Sequence, residues 1–261
     1  MPILLYEIRR NKLSLIIWSL AISYMLAITV FIFPEMSSQM GDFGEMFSEM
    51  GAFSEAFGMD QLNFGKFIDY FGIECSNTLG LGGAIFAALL GASALAKEEK
   101  EHTAEFLLTH PVSRVRIITE KLLAAIAQIF ILNATVIAIV SASILAINEA
   151  VSVGTIALIF LSHIILQLEI CAITFCISAF MRRGEVGASL GIVFGMYFIN
   201  IIANLTEEIE PLKFITPYSY ADGAYIINNT AIEAKYLITG IAISILCIAA
   251  TYLKYTKKDI A

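Results

Sequence analysis

Hydrophobic and polar positions along this chain come in long blocks rather than in a short period. Leu13–Phe33 runs 21 residues without a charged side chain, Cys75–Ala96 runs 22, Leu122–Ile147 runs 26 and Val186–Leu205 runs 20. Val151–Phe180 is 30 residues interrupted only by Glu169, and Tyr236–Leu253 is 18. A helix rising ~1.5 Å per residue needs about 20 apolar residues to cross ~30 Å of hydrocarbon. The blocks therefore predict six spans, over about 13–33, 71–96, 115–147, 151–180, 186–205 and 236–253, in one transmembrane domain covering 1–261. Helices satisfy their own backbone groups in lipid. The expected fold is an all-α, multi-pass integral membrane protein.

The segments between the blocks have patterns of their own. "MPILLYEIRRNKLSL" sets Ile3, Leu4, Tyr6 and Ile8 against Arg9, Arg10 and Lys12. This predicts an amphipathic N-terminal helix that can lie among lipid headgroups with its cations toward anionic lipid. Between the first two blocks, Met36, Met40, Phe43, Phe47, Met50, Phe53 and Phe57 fall three or four apart. That spacing is helical, so a second amphipathic helix is expected there, against the membrane surface or the bundle. Between the last two blocks, Pro211 and Pro217 interrupt the chain. A short outer or re-entrant element is expected, with Tyr218, Tyr220 and Tyr225 in an interfacial aromatic belt.

Composition agrees with the block pattern. Only 15% of residues are charged and 58% are hydrophobic, with a mean hydropathy of +0.80. A soluble domain has about 25% charged residues. The first block is also longer than the roughly 7–15 residues of a cleaved signal core. The net charge of −7 argues against a nucleic-acid partner. Its distribution says more. With both termini cytoplasmic, inside segments hold 13 of the 16 Lys and Arg residues and outside segments hold 3. Translocated loops are depleted in these residues, so this orientation in the cell membrane is the expected one. The outer segment 34–70 is acidic, carrying Glu35, Asp42, Glu45, Glu49, Glu55, Asp60 and Asp69.

Candidate chemistry is sparse. The four cysteines, Cys75, Cys171, Cys176 and Cys247, show no C-x-x-C spacing, and the three histidines have no partner at ligand spacing. No metal site and no catalytic group are expected. Glu169 is the one clear acid within a block. An intramembrane carboxyl is costly and marks a functional site by default, so Glu169 is a translocation candidate. Counted from Val151 it lies ~27 Å along its helix. Asn133 and Asn200, with Gln128, Gln167 and Asn204, could line a polar path or bond between helices. Gly187, Gly191 and Gly195 fall four apart on one helix face, as do Gly83, Ala87 and Gly91. Such stripes predict close helix packing, within this chain or between chains.

The most charged stretch is "KEEKEHTAEFLLTHPVSRVRIITEK", from Lys97 to Lys121. Thr103 can cap a short helix whose first turn holds Glu105. Pro111 ends it, and His110 before the proline is turned away from helical geometry. About two turns result, presenting Phe106 and Leu107 within a charged rim. Ser113 can then cap the helix that becomes the third span. An apolar knob in a charged rim suits docking to another protein.

At these residues the chain resembles the type 2 ATP-binding-cassette (ABC) exporter permeases. Their loop between the second and third spans reads approximately E-x-x-x-G-T-x-E-x-L-L-x-x-P-V-S-R, followed by a lysine. Glu98, Thr103, Glu105, Leu107, Leu108, Pro111, Val112, Ser113, Arg114 and Lys121 match it, and His102 stands where glycine is usual. The resemblance implies that this loop is a coupling helix seated on a separate ATPase subunit. Phe106 and Leu107 would fill the cleft there, with Glu105 and Arg114 orienting the contact. It further implies two ATPase subunits, a second permease chain (most simply a homodimer), and ATP and Mg held by the partner subunit alone. The chain itself has no G-x-x-x-x-G-K-[ST] phosphate loop. Its layout is similar to permeases that export amphipathic peptide toxins or confer antimicrobial-peptide resistance. The implied function is export of a peptide or lipophilic drug. Other readings stay open: an ABC permease for lipid, glycan or sodium, or a non-transporting membrane sensor or immunity protein. An intramembrane enzyme built on Glu169 lacks a paired second carboxylate or metal motif.

Overall fold

A computed structural model describes residues 2–39, 65–100, 112–181, 186–205 and 207–257. The predicted coupling helix, with Thr103, Glu105, Phe106, Leu107, Leu108 and Pro111, lies outside the described residues, as does most of the Met/Phe-rich segment. The chain forms α1 (Pro2–Gln39), α2 (Phe67–Cys75), a π-helical stretch (Ser76–Leu81), α3 (Gly82–Lys100), α4 (Arg114–Ile147), α5 (Val153–Phe180), α6 (Val186–Leu205), two 3-10 turns (Glu207–Phe214 and Pro217–Ser219), α7 (Gly223–Asn229) and α8 (Ala234–Thr256). No strand occurs among the described residues. Six helical runs are long and apolar enough to cross a membrane: α1, the continuous α2–π–α3 run, α4, α5, α6 and α8.

The ends of these helices follow from their sequences. Ser113, with extended backbone, accepts from the Arg116 N–H at 3.3 Å and starts α4 as anticipated. Asn148 closes α4 in the left-handed region at φ 56°, a conformation that asparagine tolerates better than branched residues. Ser152 then caps α5 through the Thr155 N–H. The connection from 148 to 152 is short, so α4 and α5 run antiparallel. At the front of the chain the structure differs from the reading. The amphipathic segment is helical, but it continues unbroken into the first span as one 38-residue helix. No glycine or proline separates Arg9 from Leu13, and Asn11, a residue that can cap a helix, stays within this one, so nothing turns the chain into the membrane plane.

The buried helix α5 organises the bundle, packing against α3, α4 and α8, while α1 lies along α4. The core is aliphatic through the middle, with Leu26, Ile129, Leu132, Val136 and Ile159 buried. At the end away from the chain termini it becomes aromatic. There Phe33 meets Phe67 edge-on at 5.2 Å, and Phe67 stacks on Phe71 at 5.6 Å. Both small-residue stripes can now be placed. A Cβ on Gly83 would collide with Gln167, and one on Gly91 would sit 2.6 Å from the Cys171 carbonyl and 2.9 Å from the Phe175 nitrogen. That stripe brings α3 backbone-close to α5. Gly187, Gly191 and Gly195 face outward, with no described atom within 4 Å of where a Cβ would stand.

A second expectation is corrected. Tyr218 and Tyr220 are not belt residues; they are 6% and 1% exposed. Helix α5 extends ~24 Å beyond Glu169 toward the end away from the termini, whereas α8 extends only ~9 Å beyond Gly240, its neighbour there. The 3-10 turns and α7 fill the missing length. The re-entrant element thus plugs the bundle with Tyr218 and Tyr220 inward, while Tyr225 stays half-buried.

Candidate functional site

Three polar groupings stand out in the bundle. The first is an electrostatic clasp at the end that gathers both termini and the exit of the charged loop. Lys121 donates to Glu7 Oε1 at 2.9 Å and to the Ala94 carbonyl at 2.7 Å. Its side chain is 1% exposed and that of Glu7 is 10%. Glu120, one residue earlier, accepts from the backbone N–H groups of Ile3 and Leu4 at 2.9 and 3.3 Å. A carboxylate on α4 therefore caps the start of α1, where orphan amides and the positive dipole end favour it. Arg116 holds that carboxylate through Nε at 2.8 Å. Arg114 donates to the carbonyls of Tyr255 and Thr256 at 3.3 and 3.4 Å, on the last turn of α8. The first turns of α4 are thus fastened to α1, α3 and α8 together. Of the loop residues that match the motif, the structure describes the side chains of Val112, Ser113, Arg114 and Lys121.

The second grouping surrounds Glu169, which is 2% exposed. Tyr220 OH donates to its Oε2 at 2.8 Å. Gly240 of α8 passes directly over the carboxyl, and a Cβ there would overlap it. Beside the pair lies a cleft of about 270 Å³ between α4, α5 and α8, lined mainly by Leu122, Ile126, Ile165, Ile241 and Ile245.

The third lies toward the opposite end. Ser76, Asn77, His163, Tyr197, Asn200, Asn204, Tyr218 and Asp222 line a cavity of about 60 Å³, room for a few waters. Ser76 Oγ and Tyr218 OH are buried without a partner among the described residues. The π-helical stretch begins at Ser76, and such stretches recur at functional sites. Asp222 caps α7 by accepting from the Ala224 and Tyr225 N–H groups. Burial pushes its carboxyl above the usual range, and those two hydrogen bonds pull against it.

The three translocation candidates do not converge. Glu169 faces the apolar cleft. Asn200 accepts from Ser219 Oγ at 3.1 Å and lines the small polar cavity. Asn133 donates to the Gln167 Oε1 at 2.6 Å, deep between α4 and α5. Sequence reasoning missed two things. One is the clasp, although Glu120–Lys121 and Glu7 were visible as charges at block edges. The other is a register between α5 and its neighbour: His163 sits against Gly80, Gln167 against Gly83 and Thr174 against Gly91. The signal was present as polar residues at helical spacing on α5 matched by glycines in the second span. Among the described residues no group of histidine, cysteine and carboxylate side chains could hold a metal.

The family model described as ABC-2 family transporter protein matches residues 4–260. No curated protein matches the chain.

Proposed function

The chain belongs to the ABC-2 family of transporter proteins, and from that we propose that it is the permease subunit of an ATP-driven exporter for hydrophobic or amphipathic substrates. ABC-2 permeases generally pair with an ATPase subunit. In this reading two ATPase subunits hold ATP and Mg, and each docks on the loop 97–121 of one permease chain. The observation that carries the proposal is the clasp. A force applied to the loop enters α4 at Ser113 and reaches three other helices within two turns. Lys121 transmits it to α1 through Glu7 and to α3 through Ala94, and Arg114 transmits it to α8. Buried ion pairs and backbone-directed hydrogen bonds are stiff links, because breaking one leaves a desolvated charge. A loop that served only as a connector would need no such fastening.

A second permease chain completes the transporter. The outward glycines of α6 support this, since small residues let backbones approach closely in lipid and no helix among the described residues occupies that face. The test is purification of the chain from its native host in mild detergent, with bound proteins identified and ATP hydrolysis assayed, for the natural sequence and for Phe106→Ala and Glu105→Ala. An ATPase subunit that co-purifies with the natural chain and is released by the loop variants is the expected result. Recovery of the chain alone, even after crosslinking in intact membranes, would favour a sensor or immunity protein.

A further inference from the structure

We propose that the cleft beside Glu169 is a binding site for the ammonium head and adjoining apolar body of a lipophilic amine, entered from the membrane. This rests on the permease reading only in calling the amine a transport substrate; the binding itself does not.

Three observations lead there. The cleft lies on the outside of the chain, where lipid would be. Ile241 and Ile245, which edge it, are 46% and 61% exposed. Its lining is mainly aliphatic, and beside Cys171 and the Ser244 hydroxyl the ionisable acid on it is the Glu169 carboxyl. That carboxyl accepts one hydrogen bond, from Tyr220 to Oε2. Among the described residues it has no ion pair, and Oε1 receives no donor. A carboxyl beside an apolar cleft is costly when unpaired. A ligand that brings a cation to Oε1 removes that cost, while its hydrocarbon replaces lipid against Leu122, Ile126 and Ile245.

The site is also built to present the carboxyl. Gly240 leaves room for it, since any side chain there would overlap Glu169. Tyr220 fixes its orientation from the re-entrant element. A carboxyl needed only to bond Tyr220 would not require an apolar chamber beside it. The volume of about 270 Å³ lies just below the range of small-molecule pockets. It suits one alkyl chain or ring with its amine, or one lysine side chain of an amphipathic peptide, and not a folded peptide. A neutral lipid can bring Glu169 only an uncharged hydrogen bond, weaker than one from an ammonium, and an anionic one is repelled. Charge complementarity therefore selects the amine.

The test uses photolabelling of the full chain in native membranes with a diazirine-bearing long-chain primary amine and its alcohol counterpart. Adducts are mapped by mass spectrometry to the α5 and α8 peptides lining the cleft. The amine is expected to label roughly tenfold more than the alcohol, the size of one charge-assisted hydrogen bond. Glu169→Gln should reduce amine labelling to the alcohol level without changing the alcohol. If Glu169→Gln fails to accumulate, Ile245→Trp, which fills the mouth and spares the carboxyl, should abolish labelling by both probes there. Equal labelling by amine and alcohol in the natural chain, or an amine preference that survives Glu169→Gln, overturns the proposal. Labelling at the cleft that survives Ile245→Trp overturns it as well. No nucleotide or ATPase subunit is needed, so loss of the permease reading would leave these outcomes readable, and a failed amine test would leave the ATPase partnership untouched.

Discussion

Replacing Lys121 with methionine removes the cation of the clasp while keeping most of its hydrocarbon. Lys121 and Glu7 are almost fully enclosed, with side chains 1% and 10% exposed and 2.9 Å between Nζ and Oε1. Solvent does little to screen such a pair. Lys121→Met leaves the Glu7 carboxylate desolvated without its partner, which costs about 3–5 kcal/mol. For a chain of this size that corresponds to a fall in Tm on the order of 10 °C. Glu7→Gln should cost less, because its amide oxygen still accepts from the ammonium. The double variant removes both charges, so it should be less destabilised than the two single losses added together, by about 1–3 kcal/mol. Thermal unfolding of the full-length chain in detergent, followed by size-exclusion chromatography after heating, measures all four corners of this cycle. Strictly additive losses, or a Lys121→Met variant within about 1 °C of the natural chain, would refute the claim that this pair fastens α1 to α4.

Other consequences follow from the same contacts. Glu120→Ala removes the acceptor for the Ile3 and Leu4 amides, so amide exchange in the first turn of α1 should quicken while the middle of α1 stays protected. Unchanged exchange at Ile3 and Leu4 would mean the cap is not formed. Gly91→Ala forces α3 away from α5 at two backbone atoms and should cost about 1–3 kcal/mol. Gly191→Leu should leave the stability of the single chain unchanged yet lower the fraction of chain–chain crosslinks; the reverse ranking would place the packing faces the other way round. Hydrogen bonds from Lys235 and Tyr236 hold the Glu210 carboxyl below its usual range. A lowered carboxyl stabilises the folded state above its unfolded value of about 4.3 and ceases to as pH falls through the lowered folded value. Amide exchange over 207–214 should therefore be flat from pH 8 to 5, after correction for intrinsic rates, and rise below about 4. Loosening already between pH 7 and 5 would contradict this.

Much of the fold was legible because one solvent property dominates it. Uncharged runs of span length read directly as the six helices, and Ser113 announced the start of α4 by its type and place. What stayed hidden was direction. A stripe of glycines reads identically whether it faces α5, as Gly83 and Gly91 do, or faces outward, as Gly187, Gly191 and Gly195 do. Tyrosines near a membrane surface look like a belt, and only tertiary packing drew Tyr220 inward to a carboxyl 51 positions earlier in the chain. Glu169 was marked by the cost of its burial, but the apolar cleft beside it comes from helices that are far apart in sequence. The continuity of α1 was missed for a local reason. Charged residues such as Arg9, Arg10 and Lys12 are good helix formers, so a change in polarity need not end a helix.

In the proposed exporter the loop 97–121 presses on a separate ATPase subunit. The most direct measurement places a photocrosslinking phenylalanine analogue at Phe106 in the full-length chain and illuminates intact native cells. One dominant adduct is expected, to a protein carrying a nucleotide-binding phosphate loop, and it should be lost when the analogue is moved to the exposed Leu145 at the other end of α4. Adducts only to lipid or to this chain itself would contradict the proposal.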